Sequence, residues 1–248
     1  MSNPVHLIGA GPGAADLITV RGMRLLQQAD CVLYDALVQP EMLAYCPQAV
    51  LIDVGKRCAK ASTAQRFINK MLVDAASKYA RVVRLKGGDP MLFGRATEEL
   101  VALREAGFEA EVVPGITAAL AASADAGVSL TSRGVARNVL FATARVGEGE
   151  SASDWISPIL AADTTVLYMG VRQAEAIAKA LLGAGMPAST PVLVVENAGL
   201  PACRQWPMRL AQLPDVGDWQ LDGPAILLLG QVYGEVLRAA QDGLRQFA

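Results

Sequence analysis

The sequence predicts an α/β protein of two lobes, and three features carry that prediction. Short apolar or β-branched runs alternate with longer segments of helical period, as in packed α/β layers and unlike a helical bundle or a β-sandwich. Glycine-rich loops, Gly9–Ala14 and Gly87–Gly94, follow two of the apolar runs, where the carboxyl ends of parallel strands would lie. After Ala126 the texture changes: Gly127–Gly134 shows no clear period, which puts a junction near residues 128–137. The expected organisation is an N-terminal α/β domain over residues 1–130 and a C-terminal α/β domain over 137–248.

In the first half, strands are expected at Val5–Gly9, Cys31–Tyr34, Val50–Val54, Arg81–Leu85 and Glu111–Val113. Helical period runs through Thr19–Gln28, Ala64–Lys78, Arg95–Ala106 and Thr117–Ala126. Ser62 or Thr63 can cap the second of these, and Gln65 stands where a capping box would need it. In the second half, Asn138–Thr143, Thr165–Met169, Pro191–Val195 and Ala225–Leu229 read as strands, and Arg172–Leu182 and Gly234–Gln246 as helices. Pro201–Pro214 reads equally as a hairpin or a loop.

Composition narrows the function. Of the 248 residues 52% are hydrophobic and 19% charged, too little polar material for a disordered chain. No apolar run reaches the roughly 18 residues of a membrane span. The net charge of −2 lacks the basic excess of a general nucleic-acid binder, so an anionic partner must be met by local clusters. Cys31, Cys46, Cys58 and Cys203 form no Cys-x-x-Cys pair, against both a zinc site and a disulfide framework. With no basic leader before an apolar stretch at the amino terminus, a reducing cytoplasm is expected. The single histidine, His6, rules out multi-histidine metal ligation and sits in a strand-like run as a structural residue.

The loop Gly9-Ala10-Gly11-Pro12-Gly13-Ala14 matches Gly-x-Gly-x-x-Gly/Ala, with Asp35 near the place of a ribose-binding acid. Pro12, however, removes an N–H from the turn, and helical period begins only near Thr19, so dinucleotide binding and a tight connection both stay open. The second loop, Arg84-Leu-Lys-Gly-Gly-Asp-Pro-Met-Leu-Phe-Gly-Arg95, would line the same crevice. In it Asp89 can accept from ribose hydroxyls or an amine. Arg95 and Glu98 stand three apart on one helical face, as a solvated pair or as an arginine held toward an acidic substrate. Arg133, Arg137, Arg145, Lys56 and Arg57 add positive charge suited to a polycarboxylate.

These strings, with Tyr34-Asp-Ala-Leu-Val38, Val54-Gly-Lys-Arg57, Val113-Pro-Gly-Ile-Thr117, Leu130-Thr131, Tyr168-Met-Gly170 and Pro224-Ala-Ile226, resemble in order those of uroporphyrinogen-III C-methyltransferases, over nearly the whole chain. The resemblance implies a tetrapyrrole methylase-like fold of two α/β lobes with a cofactor and substrate cleft between them, usually a homodimer. It implies S-adenosyl-L-methionine as cofactor, contacted by Pro12, Gly87, Gly88, Asp89, Thr117, Ala118, Met169, Ala198 and Ala225. It also implies substrate binding or chemistry at Arg95, Glu98 and Arg133, with Met169 matching such a position too.

The implied activity is S-adenosyl-methionine-dependent C-methylation of uroporphyrinogen III to precorrin-2, on a route to sirohaem, cobalamin or haem d1. No metal, nucleic acid or membrane is implied. Because a guanidinium stays protonated in proteins, orientation of substrate carboxylates by arginine is expected rather than proton abstraction. The alternatives are a related precorrin methyltransferase, a non-catalytic tetrapyrrole- or cofactor-binding homologue and, from the first loop alone, a nicotinamide-dependent dehydrogenase. The chain departs from the family at Ala59, Ala61, Ser132 and Ala144-Arg145, where three family histidines are absent. These departures point to slow turnover, a differently decorated substrate or lost activity.

Overall fold

In the computed structural model, which describes residues 3–55, 61–145 and 154–245, the chain divides into two compact units, Met1–Ala118 and Ala119–Ala248. The sequence reading put the junction at 128–137. The loss of period there comes from the end of a helix, where Val128 N–H donates to Ser123 O, and from a tight turn closed by a Ser132–Ala136 bridge inside the second unit.

The first unit is built on five parallel strands: β1 (Val5–Gly9), β2 (Cys31–Tyr34), β3 (Val50–Asp53), β4 (Val82–Lys86) and β5 (Ala110–Val113), ordered β3-β2-β4-β1-β5. The connections carry α1 (Val20–Gln27), α2 (Pro40–Leu43), α3 (Ala61–Lys78) and α4 (Ala96–Glu105), and α5 (Ala118–Asp125) follows β5. Thr19 caps α1, its hydroxyl accepting from Gly22 N–H at 3.1 Å.

Alternation along the strands feeds two apolar clusters. Ile8, Val32, Val83 and Leu85 pack with Leu26 and Met42 on one face of the sheet. Val5, Leu7, Leu33 and Val82 pack with Leu72 and Leu103 on the other. The helix α3 begins at Ala61, before Ser62, so the expected capping residues fall within its first turn, and Gln65 donates instead to Asn69 Oδ1 at 2.9 Å. Lys56, Arg57, Cys58 and Ala59, and the side chains of Ala61, Ser62 and Thr63, lie outside what is described.

The second unit holds β6 (Val139–Thr143), β7 (Thr164–Tyr168), β8 (Pro191–Glu196), β9 (Arg204–Arg209) and β10 (Ala225–Gly230), ordered β6-β7-β10-β8-β9. Only β6 and β7 run parallel; the other pairings are antiparallel. With α6 (Ile156–Ala161), α7 (Ala174–Gly183) and α8 (Gly234–Arg245) they complete a mixed α/β unit. Its core joins Leu167, Val192, Val194 and Leu227 to Ile177 and Leu181 of α7 and to Leu210 and Leu213. The open question at Pro201–Pro214 resolves as a strand of a hairpin: β9 pairs antiparallel with β8, Pro207 standing opposite Leu193. The short helices α2 and α6 were not expected, being too brief for a periodic signal. Among the described residues no helix is long and apolar enough to cross a membrane.

Tyr233 ends a 3₁₀ turn after β10 and is wholly buried. Its hydroxyl has no partner among the described residues, and burial pushes the phenol pKa up. An unsatisfied buried hydroxyl costs about 1–3 kcal/mol. Tyr233→Phe is therefore expected to raise the unfolding free energy by up to about that amount, read by urea titration.

Candidate active site

The carboxyl edge of the first sheet is assembled from backbone at close quarters. Gly11 and Gly88 form an antiparallel bridge, Gly88 N–H donating to Gly11 O at 2.7 Å and Gly11 N–H to Gly88 O at 3.2 Å. A Cβ at Gly9 would lie 2.7 Å from Gly88 O and 2.6 Å from Gly115 Cα, closer than real side chains come. One added at Gly115 would overlap the same carbonyl oxygen. Three segments, after β1, β4 and β5, therefore meet only because glycines stand there. This edge brings Pro12, Gly87, Gly88 and Asp89 together. Thr117 and Ala118 follow from Gly115 along the chain.

Asp89 does more structural work than the sequence suggests. Its Oδ1 accepts from Met91 N–H at 2.8 Å and its Oδ2 from Gly115 N–H at 2.9 Å, so the carboxylate ties its own loop to the one after β5. Arg95 and Glu98 pair as expected, Nε to Oε1 at 2.6 Å and Nη2 to Oε2 at 2.8 Å, a bidentate fork exposed to solvent. Phe93 and Arg95 have φ of 53° and 55°, a left-handed conformation that bulky side chains rarely adopt. Such conformations cost of order 1–3 kcal/mol each and gather at functional sites.

Beneath this edge lies a cluster absent from the sequence reading. Arg84 and Lys86, on the central strand β4, are 1% and 3% exposed, and both reach Glu99, which is fully buried. Arg84 Nε meets Oε1 at 2.9 Å and Lys86 Nζ meets Oε2 at 2.9 Å, while Arg84 Nη2 meets Asp35 Oδ1 at 2.5 Å. Burial lowers the Lys86 pKa, aided by Arg84 and opposed by Glu99 and Asp35. Burial acts against the Arg84 charge as well, but Asp35 and Glu99 overcome it and raise that pKa. A signal existed: alternate charged residues in what should be an internal apolar strand contradict the pattern of a covered parallel sheet.

The second unit has an edge of its own. β7 and β8 end, and β10 begins, at the same end of the second sheet, where Ala225 pairs with Glu196 and Leu227 with Leu167. Met169, Ala198 and Ala225 therefore lie at one edge. Met169 and Asn197 have φ of 56° and 54°, so this edge too carries left-handed, non-glycine backbone. Arg133 stands apart, exposed on the turn Ser132–Ala136. The residues that follow it, Arg137 and Asn138, are tied to Asp163, before β7, at the other end of the sheet.

Residues 4–214 match the family profile of the Tetrapyrrole (Corrin/Porphyrin) Methylases. The chain belongs to this family. A uroporphyrinogen-III C-methyltransferase of Pseudomonas aeruginosa is 42% identical to this methylase over 96% of this chain and 97% of its own length. A sirohaem synthase of Zymomonas mobilis is 45% identical over 93% of this chain but only 49% of its own. The chain thus spans about half the length of such synthases. A uroporphyrin-III C-methyltransferase of Thermus thermophilus, solved with S-adenosylhomocysteine, superposes with a TM-score of 0.80 at 38% identity, covering 94% of this chain and all of that one.

Against that background, three details of this methylase bear on the other readings. The Gly9–Ala14 loop leads into a 3₁₀ turn, Ala15–Leu17, so no helix N-terminus opens on it as a dinucleotide site needs. β2 neighbours β4 rather than β1, and Asp35 is engaged by Arg84. His6 lies opposite Glu111, its Nδ1 at 3.6 Å from the carboxylate and without a hydrogen-bond partner among the described residues. Burial lowers its pKa despite Glu111, so the ring is neutral at pH 7 and the contact is no ion pair. The histidine is structural, but not satisfied.

Glu196, fully buried at the end of β8, accepts from Arg204 Nε at 2.6 Å and from Gly223 N–H at 2.8 Å. Burial pushes its pKa up, but the Arg204 hydrogen bond and the Gly223 amide outweigh that and hold it below the ordinary 4.5. A depressed carboxylate stabilises the fold fully above pH 4.5, and that contribution disappears as pH falls through the lower folded value. Glu196→Gln is expected to flatten the acid limb of the stability profile below about pH 4.5, followed by denaturant titrations at stepped pH.

Proposed function

We propose that this protein transfers methyl groups from S-adenosyl-L-methionine to carbon atoms of uroporphyrinogen III, giving precorrin-2. The observation that carries the reading is that the Arg95–Glu98 fork and the glycine loop stand on one stretch of chain at a single sheet edge. Sirohaem synthases of about twice the length and full-length methyltransferases among the relatives support the same chemistry.

The first edge suits an adenosyl sulfonium donor. It offers backbone rather than bulk: a Cβ at Gly88 would enter open space, at a φ of 68° that only glycine adopts with ease. When bound, the donor supplies an electrophilic methyl group on a positively charged sulfur. Pro12, Gly87, Gly88, Asp89, Thr117 and Ala118 are the proposed contacts in the first unit, and Met169, Ala198 and Ala225 those in the second. Arg95 grips a carboxylate of the macrocycle while Glu98 holds the guanidinium plane, so that the accepting carbon is presented in line with the methyl group. Arg133 is proposed to take a second carboxylate.

Cys31, Cys46 and Cys203 carry free thiols, which supports a reducing, cytoplasmic setting. The resemblance further supports a homodimer, open to test by sedimentation.

Incubating the protein with uroporphyrinogen III and isotopically labelled S-adenosyl-methionine, then weighing the product, tests the reading. Two labelled methyl groups are expected, and an unmodified macrocycle would refute it. Losing one charged hydrogen-bonding partner costs about 1.5–3 kcal/mol. Arg95→Met should therefore lower kcat/KM for the tetrapyrrole on the order of 10- to 100-fold with little change in donor affinity.

A further inference from the structure

The buried charges under the first edge ask for an explanation. Arg84 and Lys86 alternate with Val83 and Leu85, so both project to the face of the sheet that carries Val82, Leu72 and Leu103. There they share one wholly buried carboxylate, Glu99. Arg84 is satisfied on every side, Nη1 donating to Leu85 O at 3.1 Å and Nη2 to Asp35. Apolar residues of similar volume commonly replace such clusters at no cost in stability, or with a gain. Stability is therefore a poor reason for this one to be here.

Its position is a better reason. Lys86 is the last residue of β4, and Glu99, 13 residues on, lies in the first turn of α4. The pair closes the base of the segment 87–95, which has Gly87, Gly88 and Asp89 near one end and Arg95 at the other. Inside, that segment has little freedom. Asp89 is bonded to Met91 and Gly115, and a Cβ at Gly94 would lie 2.5 Å from Pro90 O. From the α3 side, Asn69 Nδ2 donates to Glu98 O at 3.2 Å. A rigid loop transmits the placement of its stems to its tip, and these stems are joined through one carboxylate.

We infer that Glu99 is a positioning residue: by holding Arg84 and Lys86 it locks the first turn of α4 to the end of β4 and so sets the spacing between the donor loop at 87–89 and Arg95. The inference rests on the proposed methyl transfer for its meaning. Its test does not depend on the acceptor, because donor affinity is read with S-adenosylhomocysteine alone.

The informative variant is the double substitution Lys86→Met with Glu99→Gln in the full chain. It removes one charge of each sign, leaves Arg84 facing Asp35, and keeps an oxygen at position 99 for Arg84 Nε. Calorimetric titration is expected to show at least a tenfold weaker affinity for S-adenosylhomocysteine, with the melting temperature within a few degrees of wild type. The methylation rate at saturating substrates should fall at least as far. A folded double variant that binds and turns over like wild type overturns the inference and leaves the cluster purely structural. If the double variant melts far below wild type, Lys86→Met alone is read in the same way: weaker affinity in a folded protein supports the inference, unchanged affinity overturns it. A wild type that binds S-adenosylhomocysteine without methylating uroporphyrinogen III refutes the acceptor assignment, while the affinity comparison still decides the role of Glu99. A wild type that binds no S-adenosylhomocysteine overturns both.

Discussion

The first unit depends on how closely three pieces of backbone approach each other at Gly9, Gly88 and Gly115. Had Gly9 or Gly115 a side chain, the Gly88 carbonyl would be displaced, and with it the bridge to Gly11. Asp89 would then lose its register with the Gly115 amide. A side chain in so tight a space must push the backbone aside, and interiors at crystalline density absorb such shifts poorly. The glycines thus act as spacers that let strand ends from distant parts of the sequence share one small area. Donor contacts can then come from main-chain groups whose positions the sheet itself fixes.

Both units place awkward conformations and buried charge at one end of a sheet. In the first, left-handed Phe93 and Arg95 stand above the Arg84–Glu99–Lys86 cluster. In the second, left-handed Met169 and Asn197 stand near Glu196, whose carboxylate joins β8 to β9 and to Gly223, just before β10. Strained residues persist only where the surroundings over-determine them. Here the surroundings are ion pairs and amide hydrogen bonds to buried carboxylates, directional contacts that an apolar core would lack.

Much of this was legible in the sequence because it is local. Strands β1 and β2 begin and end where their apolar runs do, and Arg95 and Glu98 announce their pairing by their spacing. The glycine strings marked the first edge, and the ordered motifs marked the family. What was missed is non-local. Glu99 reads as one more acid in a helical first turn until the fold sets β4 beneath it. Asp89 looked free to meet a ligand, because nothing in the sequence says that Gly115 will come within 2.9 Å of it. The strand β9 was ambiguous because prolines stand among polar residues along Pro201–Pro214 and Pro207 is a poor strand former, and pairing with β8 overrides that propensity.

That same strand sets a limit on assembly. Among the described residues β9 is the outermost strand of the second sheet, and such an edge would ordinarily offer N–H and C=O groups to any extended chain. Pro207 lacks an N–H to offer, so a strand added alongside would miss a ladder hydrogen bond there. Growth of the sheet by addition of a further strand is thereby discouraged on that border, which turns a polymerisation hazard into a terminus.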